Sequence, residues 1–196
     1  MTAITQGNRA RAATSALAVC LGLAVAEAVR WRIFTTGALD GLTEGMIFGV
    51  ALVAIALLGG LRLSVPPAGA LATGVVSGVV LVAITIVVRW PQMPLVPGHA
   101  APFAPWVAVT TLVATGEELV LRGTLWRWAA AAGGDAWALL ATSLLFALIH
   151  VPIYGPGVIP LDFGVGLIFG GLRLWFGGPA APAAAHIVAD LATWWL

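Results

Sequence analysis

Apolar residues run almost unbroken through seven stretches of this chain, at about 12–29, 45–61, 68–88, 104–128, 135–151, 160–176 and 180–196. Within each stretch the hydrophobic positions are continuous rather than alternating. That pattern predicts helices of roughly bilayer length, some of them short, and excludes a spanning barrel, whose strands alternate apolar and polar positions. Charges, Pro and Gly stand between the stretches: "RWR" after the first, Arg62 and "PP" after the second, "RWPQMPLVPGH" after the third. Connections this short predict antiparallel neighbours in one bundle. There is no internal repeat and no water-soluble domain in the pattern. The expected fold is all-α, a polytopic integral membrane protein with about seven transmembrane helices in one bundle.

Composition sharpens this picture. Of 196 residues, 61% are hydrophobic and only 9% charged, against roughly a quarter charged in an average soluble domain. So few charges cannot cover the surface of a water-soluble fold. A net charge of +1 gives no reason to expect a nucleic-acid partner. The single cysteine, Cys20, lies in an apolar run, so no disulfide framework is expected and Cys20 reads as a small buried hydrophobe. Nine arginines and no lysine hint at a GC-rich bacterial genome, hence a bacterial plasma membrane. With a cytoplasmic N-terminus, inside segments hold Arg9, Arg11, Arg62, Arg127 and Arg173, and outside segments hold Arg30, Arg32 and Arg89, the sense of the positive-inside rule. Arg9 and Arg11, followed by "AVA" before Glu27, also resemble a signal peptide, but a retained first helix is the preferred reading. Tryptophans at Trp90, Trp106, Trp126, Trp128, Trp175, Trp194 and Trp195 stand near stretch ends, as in an aromatic belt. His99 reads as a solvated loop residue and Asp162 as a helix cap, and Gly164, Gly166, Gly170 and Gly171 permit close helix packing.

A few ionisable residues interrupt the apolar stretches, and each needs a partner or a task there. Glu118 and Arg122 are spaced i, i+4, one helix face, and can pair. Glu117 points about 100° away, towards the face of Thr110 and Thr124, and the pair does not explain it. His150 closes "SLLFALIHVP", with Phe146 and Ser143 on its face; Pro152 predicts that the helix ends there. His186 and Asp190 are again i, i+4, with Thr193 continuing the stripe. Together these groups can grip a water for deprotonation. They can equally hold a divalent metal such as zinc, or relay protons in a transporter.

Three motifs in order carry a resemblance: "EELVLRG" at 117–123, "FALIH" at 146–150 and "HIVAD" at 186–190. They resemble the CPBP intramembrane proteases, the family of the CAAX prenyl endopeptidases and the ABI bacteriocin-processing and immunity proteins. The resemblance covers about residues 104–196, the catalytic-core helices; residues 1–103 form motif-free N-terminal helices. It implies an intramembrane endopeptidase that hydrolyses a peptide bond in a membrane-embedded cavity open to the cytoplasm. Glu117 would activate the water, Glu118 and Arg122 would support the helix, and His150, His186 and Asp190 would complete the site. The resemblance leaves the metal open: a metal-free glutamate protease is one form, and a site in which Glu117, His150, His186 and Asp190 ligate zinc is the other. Leu121 stands where a Phe is common, and Asp190 stands where the prenyl endopeptidases have Asn. An ionised Asp cannot donate to an oxyanion, so Asp190 is expected to be protonated or to bind metal. Expected partners are the lipid bilayer and a peptide or membrane-protein substrate, prenylated or not. The rival readings are a non-catalytic scaffold or immunity protein of the same fold, and a proton-coupled transporter.

Overall fold

The computed structural model describes residues 6–89 and 101–195, with side chains from 13–87 and 101–195. Trp90 and His99, and the side chains of Arg9 and Arg11, lie outside these residues. The described chain is helical: α1 Gln6–Thr36, α2 Gly41–Leu58, α3 Ala70–Arg89, α4 Phe103–Glu118, a π-helical segment Leu119–Leu125, α5 Trp126–Tyr154, a 3-10 turn Pro156–Val158, α6 Ile159–Phe176 and α7 Ala180–Ala192.

Five helical stretches among the described residues are long and apolar enough to cross a membrane, rather than the seven expected: Ala13–Thr36, Gly41–Leu58, Ala70–Val87, Phe103–Tyr154 and Pro156–Phe176. Two features account for the difference. The seventh stretch folds as a helix of 13 residues, about 20 Å long at 1.5 Å per residue and short of a hydrocarbon core of about 30 Å. The fourth and fifth form one stretch of 52 residues broken at Gly134, whose backbone (φ 81, ψ 178) is not helical. The break reverses the chain. The Arg122 guanidinium lies 4.9 Å from the Phe146 ring centroid, where a straight helix would separate the two residues by about 36 Å.

Outward faces are apolar. Leu17, Leu21 and Val25 on α1, Val75 and Val79 on α3, and Leu140, Leu144 and Leu148 on α5 are exposed at i, i+4 spacing, stripes that suit lipid and not water. Glycines bring helices close where backbones cross. A Cβ on Gly78 would meet the Ala185 carbonyl at 2.6 Å, so α3 and α7 run side by side. A Cβ on Gly166 would meet Ser143 Cα at 2.9 Å, fixing α6 on α5, and Gly170 is packed against Leu139; Gly164 and Gly171 have nothing within 4 Å and do not take the expected packing role.

Two further expectations change. Trp126 is not a belt residue: it is 2% exposed, whereas Trp175 is 84% exposed. The helix carrying His150 does not stop there but continues through Pro152 to Tyr154. Pro152 removes only a hydrogen bond near the helix end, and Gly155 (φ 81) then closes the helix with its N–H on the Val151 carbonyl.

Candidate active site

Arg122 is the centre of a fully buried cluster. It donates from Nη1 to Glu118 Oε1 at 2.9 Å and from Nη2 to the Gly166 carbonyl at 3.0 Å. The i, i+4 pair expected from the sequence is therefore made. The guanidinium also lies over the rings of Phe146 and Phe169, at 4.9 and 5.7 Å, so π faces replace part of its lost hydration. Arg173 Nε donates to the Arg122 carbonyl at 2.8 Å, supplying a side-chain donor to the backbone of the π segment. The same Glu118 Oε1 accepts from His186 Nδ1 at 3.2 Å, which ties α7 to the cluster. Phe169 and Phe146 flank the His186 ring at 5.1 and 5.4 Å.

The other His186 nitrogen faces the acids. Nε2 is 3.4 Å from Asp190 Oδ2 and 3.9 Å from Glu117 Oε2. Glu117 is 3% exposed, and its Oε2 has no hydrogen-bond partner. The Asp190 side chain is 39% exposed. Glu117, Glu118, Arg122, His186 and Asp190 thus form one set of contacts spanning α4, the π segment and α7. His150 makes its contacts elsewhere. Its Nδ1 lies 2.8 Å from the Phe146 carbonyl, which can only accept, so Nδ1 carries the proton and Nε2 is the nitrogen left for a ligand. Nδ1 is also 3.7 Å from Asp162 Oδ2, and the ring stacks on Tyr154. Asp162 is accordingly a neighbour of His150 and not the cap of α6, whose first turn has no side-chain cap.

His150, Glu117 and Asp190 are brought together by a cavity of about 740 Å³. One face of α4 leads down it through Trp106, Val109, Thr110 and Val113 to Glu117, the i, i+3/i+4 spacing of a single helical stripe. From Trp106 to Glu117 that face is about 17 Å deep. Thr110 shares the Glu117 face as expected, whereas Thr124 is turned away and donates to the Ala56 carbonyl at 3.2 Å.

The mouth is built from the end of α1, the starts of α2 and α4, and the ends of α5 and α7, including Asp40, Pro102, Tyr154 and Thr193. Asp40 caps α2, accepting from the amides of Leu42 and Thr43, and its contacts with Thr43 hold its carboxyl below the usual carboxylate range. The N-terminus is at the other end of α1, so the cavity opens on the face opposite it. A cytoplasmic N-terminus and a cavity open to the cytoplasm, both expected from the sequence, cannot hold together.

Among the described residues, no three His, Cys, Asp or Glu side chains are grouped so as to hold a metal ion. The set that comes nearest shares His186 Nε2, and Glu117 and Asp190 stand 3.9 and 3.4 Å from it.

Several neighbours of the site carried no signal in the sequence. Phe169 and Tyr154 look like ordinary apolar positions, and the N-terminal helices supply Arg30, Asp40 and Glu44 to the cavity without a motif. Neither a curated protein nor a solved structure matches the chain. Residues 99–192, just under half of the chain, match the family described as Rce1-like type II CAAX prenyl endopeptidase, a domain of the CPBP/CAAX protease family.

Proposed function

We propose that the cavity is the site of an intramembrane endopeptidase in which Glu117 activates water. One observation carries this reading: Glu117, a buried carboxylate whose Oε2 has no hydrogen-bond partner, lies at the end of a cavity otherwise reached along one helix face. A water on Glu117 Oε2 would lose its proton to that oxygen as its own oxygen bonds to the scissile carbonyl carbon. Glu118 holds His186 by Nδ1, which aims Nε2 towards the reacting atoms and fixes the ring before substrate arrives. When Nε2 carries a proton it can donate to the developing oxyanion; the neighbouring Asp190 favours that proton. As the C–N bond breaks, Glu117 returns the proton to the leaving amine. His150, with Nδ1 committed to Phe146, offers Nε2 to the same water or to the substrate backbone. The family's peptidase chemistry supports this assignment, and no step passes through a metal.

The test compares membrane-protein termini by mass spectrometry in cells expressing the wild type or Glu117→Gln at matched levels. New termini with the wild type alone are expected, and purified wild-type protein is expected to cut the same sites in the presence of a strong zinc chelator. Equal termini from two folded, abundant proteins would refute the hydrolytic reading and favour a scaffold of the same fold. Loss of cutting on chelation, restored by zinc, would refute the metal-free form.

A further inference from the structure

The cavity walls carry four acidic side chains, Asp40, Glu44, Glu117 and Asp190, and one arginine, Arg30. Arg30 is already engaged: its Nε is 3.3 Å from Glu44 Oε1, and its guanidinium lies 4.5 Å from the Phe48 ring. The Arg30–Glu44 pair is neutral, which leaves Asp40 at the mouth, Asp190 along the wall and Glu117 at the end with no lining cation to balance them. Of the two histidines at the cavity, His150 has an acid of its own in Asp162 at 3.7 Å, and His186, even as an imidazolium, offsets only one of the three. Glu117, which lines the cavity, is 3% exposed and has no hydrogen-bond partner at Oε2, which leaves that oxygen able to accept from a donor on an entering segment. A cleft of one charge sign between low-dielectric walls focuses its field on whatever enters.

From these observations, and resting on the peptidase reading, we infer that the cavity selects a cationic peptide segment with Lys or Arg side chains beside the scissile bond. A depth of about 17 Å along α4 accepts about five residues of extended chain. Asp40 meets the basic side chains at the mouth, and Asp190 meets one close to the reacting bond. Asp40 belongs to the N-terminal helices, so this selectivity is supplied from outside the matched domain at 99–192.

The test measures binding of three fluorescent peptides, alike but for Lys, Gln or Glu at the flanking positions. The protein is full-length Glu117→Gln in nanodiscs of zwitterionic lipid, and cleavage of the same peptides by wild type is followed in parallel. The Lys peptide is expected to bind about tenfold tighter than the Gln peptide at low salt, with the Glu peptide weakest and the differences shrinking as salt rises. Asp40→Asn, which keeps a good helix cap, is expected to narrow the Lys–Gln difference to about threefold. Equal binding of the three peptides overturns the inference, whether or not they are cut. Charge-dependent binding without cleavage by wild type refutes the peptidase reading and leaves a cation-selective cleft.

Discussion

Arg122 shows how far a single buried charge is committed to structure. Its head group is shared among a carboxylate, a carbonyl and two rings, all inside the bundle. Removing one partner of a buried pair leaves the other charge uncompensated, at about 3–5 kcal/mol. Arg122→Met is therefore expected to lower unfolding free energy in detergent by about that amount. Adding Glu118→Gln should recover part of the loss, because the stranded carboxylate is then gone. Glu117→Gln should change stability by less than about 1 kcal/mol, since its Oε2 has no hydrogen bond to lose. A double-mutant cycle on unfolding midpoints checks all three. This division between Glu117 and Glu118 was legible in the sequence, because i, i+4 spacing pairs Glu118 with Arg122 and turns Glu117 away. The link from His186 to Glu118 and from His150 to Asp162 was not, because each joins helices whose relative rotation no local pattern specifies.

At the scale of the element, helices were legible as apolar runs, and their irregularities were not. The π segment Leu119–Leu125 lies between Glu118 and Trp126 and contains Arg122. Nothing in "LVLRGTL" marks it, since its residues also suit an ordinary helix. π turns recur at functional sites because they rotate the following side chains relative to the preceding ones. Here Glu117 and Glu118 end the α-helical part while Arg122 sits inside the widened turn. Gly134 is a second irregularity: the sequence does separate the fourth and fifth stretches there, between 128 and 135, but hydropathy does not mark the backbone conformation that makes the break. Its backbone (φ 81, ψ 178) belongs to a region open essentially to glycine, while its Cβ position is empty. Gly134→Ala therefore isolates backbone strain, and a loss of about 1–3 kcal/mol in unfolding free energy is expected. Gly164→Ala, inside α6 with equally open space around it, should be neutral or stabilising. Equal effects at the two positions, read from unfolding midpoints, would show that the reversal does not depend on the Gly134 conformation.

Across the whole molecule, the motif-free N-terminal helices are part of the site's surroundings. α2 runs parallel to α4, its Gly45, Gly49 and Gly59 facing Val109, Leu112 and Thr124 in turn, and α3 runs parallel to α7, its Gly74 and Gly78 facing Ala184 and Val188. These alignments fix which helix ends share a membrane face. They put the starts of α2 and α4 with the ends of α1 and α7, where the cavity opens, and they put the N-terminal side of α1 opposite. Hydropathy showed where the chain crosses but not which ends gather around a cavity, and the arginine count addressed only the cytoplasmic side. Cys20 is the only cysteine, so Cys20→Ser gives a background for labelling single cysteines with a membrane-impermeant maleimide. Ala38→Cys, beside the mouth, and Ser64→Cys, in the α2–α3 connection, are expected to label from opposite sides of sealed, oriented vesicles. Labelling of both from one side would break the alternation of helices on which the opposed mouth and N-terminus depend. If Ala38→Cys labels from outside the cell, as the arginine distribution favours, the cationic segment must be presented on the exported side of the membrane. If it labels from the cytoplasm, the N-terminus lies outside and the substrate reaches the cavity from the cell interior.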